Sequence, residues 1–375
     1  MLNYAKYLIG GDVGSKMKIW LFCLGIVGLF CPDSVSPCTG VKLVAKDDSI
    51  IYGRTLEFGV PLETSVVVVP RGIQISGTTP LGQGLVYTTK YASLGIVISD
   101  DLSILDGLNE KGLSIGTFFF PLYADYAEIT QENRSIALSP TEFSNWILTQ
   151  FATVEELVLA LDKVLIAPTR SEDWGGVAPP FHYIVSDQSG KCLVIEPLKG
   201  KLVTYDNPLG ILTNSPSFDW HLTNLRNYIN LRATNVAPLK IDNLVFAPFG
   251  QGSGMVGLPG DFTPPSRFVR SFVFCQTALP ADTAEQTVFQ TFHILNQFDI
   301  PLGVARSVDK DGIHADFTQA TCVRDPKSLK YYFKTYQDQT VRCIDLSRFD
   351  VHAKTVKKVS TSGFEKSVDI SKELK

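Results

Sequence analysis

Ser36-Pro37-Cys38-Thr39-Gly40-Val41-Lys42-Leu43-Val44-Ala45-Lys46-Asp47-Asp48-Ser49-Ile50-Ile51-Tyr52-Gly53-Arg54-Thr55-Leu56-Glu57-Phe58 is the stretch on which the reading of this chain turns. Val41, Leu43 and Ala45 alternate with Lys42, Val44 and Lys46, the two-residue period of a strand. Lys46 to Ser49 supplies a turn and Ile50 to Leu56 runs back, which predicts a β-hairpin. Its return strand carries Arg54 and Glu57, and folding back brings both close to Cys38.

Upstream, Met17-Lys18 opens a run of mostly apolar residues from Ile19 to Phe30. A lysine followed by such a run has the form of a secretory signal. It is shorter than the roughly 20 apolar residues that span a bilayer. Residues 1–37 are therefore expected to be a signal or pro-segment removed on maturation, with either Met1 or Met17 as the start. The mature protein is expected to be exported, to the periplasm or outside the cell, with no stable membrane anchor after processing. Removal would make Cys38 the first residue. A thiol and a free α-amine on one residue form a self-contained nucleophile and base, because the amine has a pKa of about 7.7–8.0 and accepts protons near neutrality. The junction is an awkward one, since Pro37 precedes the bond to be cut.

Downstream, Thr64 to Pro70, Val86 to Ser99 and Leu113 to Phe120 read as strands, with a tight turn over Gly107 to Leu113. A helix is predicted from Ser139 to about Phe151. Thr153-Val154-Glu155-Glu156 has the form of a capping box and leads Leu157, Leu161, Val164 and Leu165 at helical spacing. Strands follow at Phe181–Ser186, Lys191–Glu196 and Ile211–Asn214, then helices over 219–228, 264–274 and 283–298. Further strands at 303–307, 317–324 and 329–336 close the domain. Strand and helix blocks in this order argue for an α+β fold with stacked antiparallel sheets between helical layers. One catalytic domain over 38–350 is expected, with 351–375 as a Lys- and Ser-rich tail.

Composition excludes several functions. The 375 residues carry a formal charge of −4 with no basic stripe, which argues against nucleic acid as a partner. The seven cysteines contain no C-x-x-C and the five histidines no H-E-x-x-H, so a structural zinc site or a zinc hydrolase is not indicated. Gly252-Ser253-Gly254-Met255-Val256-Gly257 has the form G-x-G-x-x-G but leads into Leu258-Pro259-Gly260 rather than a helix, so it fails as a dinucleotide site. No G-x-S-x-G elbow is present. Two further residues fit amide chemistry. Asn214, at the end of an apolar strand, offers a side-chain amide to an oxyanion. Arg267 offers a cation over developing negative charge.

Taken together, Cys38-Thr39-Gly40, Gly53-Arg54, Asn109-Glu110-Lys111-Gly112-Leu113, Leu212-Thr213-Asn214-Ser215-Pro216, Gly257-Leu258-Pro259-Gly260-Asp261, Ser266-Arg267-Phe268 and Leu329 to Tyr336 resemble the choloylglycine hydrolase family. This family of N-terminal nucleophile amidases includes bile salt hydrolases and penicillin V acylases. The resemblance implies a four-layer αββα sandwich, no metal or cofactor, a small-molecule N-acyl amide substrate and often a homotetramer. It assigns Cys38 as nucleophile and Arg54 as the arginine beside the thiol. Asn214 and the backbone N–H near Phe119 become the oxyanion donors, and Arg267 braces the site. Glu57 stands where the family commonly has an aspartate. Phe58, Phe118 and Phe120 are expected around the acyl group. The leader, the Thr213-Asn214-Ser215-Pro216 form and the Phe118–Phe120 run favour penicillin V or N-acyl homoserine lactones over conjugated bile salts. Glu57 keeps an inactive secreted binding protein of the same fold as an alternative.

Overall fold

The hairpin forms as expected. In a computed structural model that describes residues 37–98, 102–309, 312–364 and 366–374, strand Cys38–Val44 pairs antiparallel with Ile50–Phe58. The register sets Cys38 opposite Leu56 and Gly40 opposite Arg54. The leader read over 1–37 lies outside the described residues, apart from Pro37.

Ile50–Phe58 continues into a sheet through Gly312–Asp325, Lys330–Thr335 and Arg342–Asp345, with Ala305–Asp309 paired to the long strand Gly312–Asp325. A second antiparallel sheet runs in the order Lys201–Asp206, Cys192–Leu198, Phe181–Ser186, Ser114–Phe119, Ile104–Asn109, Ser93–Ile98, Thr64–Val69 and Lys357–Ser360. Alternation along the strands gives each sheet two apolar faces. Leu56, Ala320, Cys322 and Phe333 of the first sheet share one buried core with Val66, Val68, Leu94, Ile96 and Leu108 of the second.

On its other face the first sheet sets Val41, Leu43, Ile51 and Val323 against Val288, Phe292 and Leu295 of helix Ala284–Leu295. Gly53 is needed there, because a Cβ would lie 2.6 Å from Thr291 Cγ2 of that helix. Helix Phe143–Gln150 covers the second sheet; Phe143 packs edge-on to Tyr183 at 4.9 Å and Thr117 Oγ1 is 2.7 Å from Ser144 Oγ. The result is the four-layer αββα sandwich.

Four local expectations change. The strand read over 211–214 is a loop with a single bridge from Leu212 to Gly40. The run read as one strand over 86–99 is broken: Gly82–Thr88 pairs in a separate hairpin with Gln74–Thr79, and only Ser93–Ile98 joins the sheet. The capped helix ends early, at Val154–Val158; Thr153 does accept from Glu156 N–H at 3.2 Å, but the Glu156 carboxylate turns to Ala152 N–H. Part of the segment read as tail over 351–375 belongs to the fold, because Lys357–Ser360 pairs with Ser65–Val68 and covers that edge of the sheet.

Candidate active site

Cys38 opens its strand on the face between the sheets, and three elements converge on it. Strand Ile50–Phe58 contributes Arg54. Alternation places it inward, 1% exposed, with Nη2 3.0 Å from Cys38 Sγ. Its other nitrogens donate to the Thr55 and Thr117 carbonyls at 3.0 and 2.5 Å, and its guanidinium lies 4.4 Å from the Phe118 ring centroid. Loop 211–216 contributes Asn214. Gly40 and Leu212 exchange backbone hydrogen bonds that dock this loop on the Cys38 strand. Gly40 has no room for a Cβ, which would meet Phe118 Cζ at 2.7 Å. Helix Pro264–Thr277, opened by Pro264 and Pro265 as suits a first turn, contributes Arg267.

These groups form one hydrogen-bonded set. Asn214 Oδ1 accepts from Cys38 N–H at 2.8 Å and from Arg267 Nη2 at 2.6 Å. Asn214 Nδ2 donates to the Phe119 carbonyl at 2.7 Å. Two donors on one atom and an acceptor on the other fix the orientation of the amide and leave a single N–H free for a ligand. Arg267 also donates to the Cys38 carbonyl and to Thr39 Oγ1, the latter at 3.0 Å.

Burial controls the electrostatics. It pushes the Cys38 thiol up from its ordinary range; Arg54 opposes that, Glu57 adds to it, and the Glu57 backbone N–H and Arg267 pull down. Burial raises the Glu57 carboxyl to about 8, against hydrogen bonds and both arginines. Glu57 Oε1 accepts from Thr318 Oγ1 at 2.9 Å, while Oε2 is buried without a hydrogen-bond partner. In the chain that still carries Pro37, the Cys38 nitrogen is thus held by Asn214, and Glu57 is held by Thr318. Burial also lowers Arg267 to about 10.

Comparison with known proteins identifies the family. The profile of the linear amide C-N hydrolases, choloylglycine hydrolase family, matches residues 38–359. The chain belongs to the choloylglycine hydrolase family. It is 33% identical to the bile salt hydrolase/transferase of Clostridium perfringens, over 89% of this chain and 99% of that one. A crystal structure of a mutant conjugated bile acid hydrolase from the same organism superposes with a TM-score of 0.79, at 33% identity, covering 89% of this chain and 99% of the other. The penicillin V acylase of Agrobacterium tumefaciens superposes with a TM-score of 0.68 at 26% identity, covering 86% and 90%. The fold is that of the N-terminal nucleophile hydrolases, and the protein is an enzyme of the linear amide hydrolase class.

In this chain Cys38, Arg54, Glu57, Phe119, Asn214 and Arg267 are brought together as the sequence suggested. Of the three aromatics expected around the acyl group, only Phe58 lines the cavity at the thiol. Phe118 and Phe120 are a correction. Side chains alternate along a strand, so when Phe119 faces the cavity its neighbours face away. Phe118 lies under Gly40 and Arg54, and Phe120 stacks on His182 at 4.2 Å.

The cavity is a slot of about 20 Å³ lined by Leu56, Phe58, Leu62, Phe119, Trp174 and Phe181 with Cys38. Trp174 was missed in the sequence. It sits in a one-turn loop with no periodicity and meets Phe58 and Phe181 edge-on at 5.3 and 4.9 Å. Gln319 was also missed. Its Nε2 donates to the Phe58 and Val60 carbonyls and its Oε1 accepts from Leu62 N–H at 2.6 Å, which pins the rim of the slot.

Proposed function

We propose that this chain is a cysteine N-terminal nucleophile amidase that cleaves N-acyl amides through an acyl-thioester on Cys38. The observation that carries the reading is the buried thiol 3.0 Å from Arg54, on a residue whose nitrogen is 2.8 Å from the Asn214 amide. Removal of residues 1–37 frees the Cys38 α-amine. The amine takes the thiol proton, directly or through a water, and sulfur bonds to the substrate carbonyl carbon. The free Asn214 N–H and the Phe119 N–H receive the oxyanion; one such donor supplies about 3–4 kcal/mol. The C–N bond breaks, the amine leaves with the proton, and the acyl group stays on sulfur. Water then gives a proton to the α-amine and attacks the thioester. The C–S bond breaks, the thiol is re-protonated and the acid departs.

The acyl group is of the penicillin V or N-acyl homoserine lactone type. A narrow, aromatic-lined slot favours a flat aryl group or an unbranched chain. Conjugated bile salts are the second reading, supported by the likeness to the C. perfringens enzyme. Because the slot measures only about 20 Å³, any of these acyl groups requires the Trp174 loop to move, a fused steroid the most. The protein is exported, periplasmic or secreted, as the leader suggests. It assembles as a homotetramer, a reading supported by the hairpin Leu239–Ile241/Leu244–Phe246, whose apolar residues Leu239, Ile241, Leu244, Val245 and Phe246 are all exposed.

The test is a hydrolysis panel of penicillin V, glycine- and taurine-conjugated bile acids and acyl homoserine lactones of several lengths, with intact mass of the exported protein. Cys38→Ala is expected to lose at least about 1,000-fold in kcat. Preference for bile conjugates reverses the substrate ranking. A mature chain that does not begin at Cys38 ends the mechanism as written. No hydrolysis of any member leaves the binding-protein alternative.

A further inference from the structure

Two of the five histidines in the sequence converge on consecutive carbonyls of the Asn214 loop. His182, on strand Phe181–Ser186, places Nε2 3.0 Å from the Thr213 carbonyl oxygen. His221, on helix Phe218–Leu225, places Nε2 3.0 Å from the Asn214 carbonyl oxygen. We infer that His182, coupled to Glu196, and His221 are positioning residues that aim the Asn214 side chain at the reacting carbonyl. The inference rests on the amidase reading above, because it assigns Asn214 the oxyanion.

A carbonyl oxygen only accepts, so each Nε2 must carry the proton. His221 Nδ1 has no hydrogen-bond partner. Its ring is therefore the neutral Nε2–H tautomer, stacked on Phe268 at 4.6 Å and held neutral by burial, which lowers it to about 4. His182 Nδ1 is 3.2 Å from Glu196 Oε1, and the same oxygen accepts from Phe218 N–H at 2.9 Å. A hydrogen bond between that nitrogen and that oxygen fixes the ring, and its Nε2–H stays directed at Thr213. His182, Glu196 and His221, with Asn214 and Thr213, are fully buried. Phe118 and Phe120 acquire their place here: both pack on His182, one edge-on and one face-on.

The rest of the loop is tied off as well. Thr213 Oγ1 donates to the Pro264 carbonyl at 3.2 Å and Ser215 Oγ to the Pro121 carbonyl at 2.6 Å. Asn214 has only one N–H left after its bond to Phe119, and that N–H has no freedom apart from the backbone that carries it. A misplacement of about 1 Å at a reacting centre costs on the order of 100-fold. The two imidazoles hold the backbone carbonyls on either side of the Asn214 Cα.

His182→Phe and His221→Phe keep the stacked ring and delete the donor. His182→Gln and His221→Gln restore an amide N–H near the Nε2 position. Each variant is assayed on the panel member that the wild type hydrolyses, with thermal denaturation and amide hydrogen exchange of the peptide spanning 211–218 alongside. The phenylalanine variants are expected to lose about 10- to 100-fold in kcat with KM within about threefold, since an oxyanion donor acts in the transition state. The glutamine variants should recover most of that loss, and exchange at 211–218 should rise about tenfold in the phenylalanine variants alone. Full kcat in both phenylalanine variants overturns the inference. So does an equal loss in phenylalanine and glutamine variants that follows the fall in Tm. His182→Phe strands the Glu196 carboxyl and can fail to fold; His221→Phe strands no carboxyl and then decides the matter. If the wild type hydrolyses nothing, the amidase reading falls separately, and unchanged exchange at 211–218 overturns the positioning role without any turnover.

Discussion

Arg54 and Arg324 sit on neighbouring strands, buried in the same space between the sheets, and end on different partners. Register pairs Arg54 with Cys322 and Arg324 with Tyr52. Both guanidiniums reach across to the same facing strand, Arg54 to the Thr117 carbonyl and Arg324 to that of Ile115. Arg324 Nη2 then lies 3.4 Å from Asp106 Oδ2, an ion pair with neither side chain more than 3% exposed. Arg54 Nη2 instead meets the Cys38 thiol. Burial raises the Asp106 carboxyl, and Arg324 first and then Arg54 work against it. One arginine completes an internal pair. The other keeps a charge directed at a thiol that burial would otherwise hold protonated. On the proposed mechanism, the same residue type at the same depth is structural in one register position and chemical in the other.

The largest expected effect tests that division directly. An opposite charge within about 4–6 Å shifts a pKa by one to three units. Arg54→Gln should accordingly reduce the thiolate fraction, and the rate of hydrolysis, by about 10- to 1,000-fold. Arg324→Gln should change the rate by less than about threefold. The rate of Cys38 alkylation by iodoacetamide against pH measures the thiolate itself, in a Cys343→Ser background because Cys343 is the exposed thiol among the described residues. A shifted profile for Arg54→Gln and an unshifted one for Arg324→Gln sustain the comparison. Equal shifts erase it.

Stability should divide the other way. Removing one partner of a buried ion pair strands the other charge and costs about 3–5 kcal/mol. Arg324→Met should lose about that much in urea denaturation. Adding Asp106→Asn should recover part of it, since the stranded acid is then gone. An Arg324→Met loss below about 1 kcal/mol would mean the pair is not coupled.

The two arginines were not equally legible in the sequence. Arg54 could be placed beside Cys38 because hairpin alternation alone brings them together. Arg324 and Asp106 meet only when the two sheets stack, and no local period encodes that. Asn214 and Arg267 fitted amide chemistry by residue type, but only their motifs tied them to Cys38, because both lie far from it in the chain. The apolar run over 86–99 was misread for a physical reason: Val86 is exposed on an outer hairpin while Leu94 and Ile96 are buried between sheets, and hydrophobicity alone does not separate the two. Trp174 left no signal, because a short loop between β-segments carries no periodicity. Phe118 and Phe120 were legible as strand residues, but their face could be known only once Phe119 was fixed on the cavity.

Glu57 supplies the smallest and sharpest test, because it could make Arg54 resemble Arg324. It is an acidic neighbour of Arg54, and if ionised it would give that guanidinium a carboxylate of its own. Burial instead holds its carboxyl protonated up to about 8, with Oε2 left without a partner. An unfolded glutamate ionises near its ordinary value of 4.5. Between these two values the folded chain binds one more proton than the unfolded chain. Stability from this group is therefore complete below about 4.5 and lost as pH rises through about 8. The slope is at most about 1.4 kcal/mol per pH unit over that window. Urea denaturation of the full-length chain at half-unit steps from pH 5 to 8 should show stability falling with pH, and Glu57→Gln should flatten the curve. Glu57→Asp, with one methylene fewer, should flatten it less. A wild-type curve that Glu57→Gln does not change would mean that Glu57 is ionised beside Arg54 at neutral pH. The two arginines would then differ only in their second partner, and the thiol would have to draw its activation from Arg267 and the amine instead.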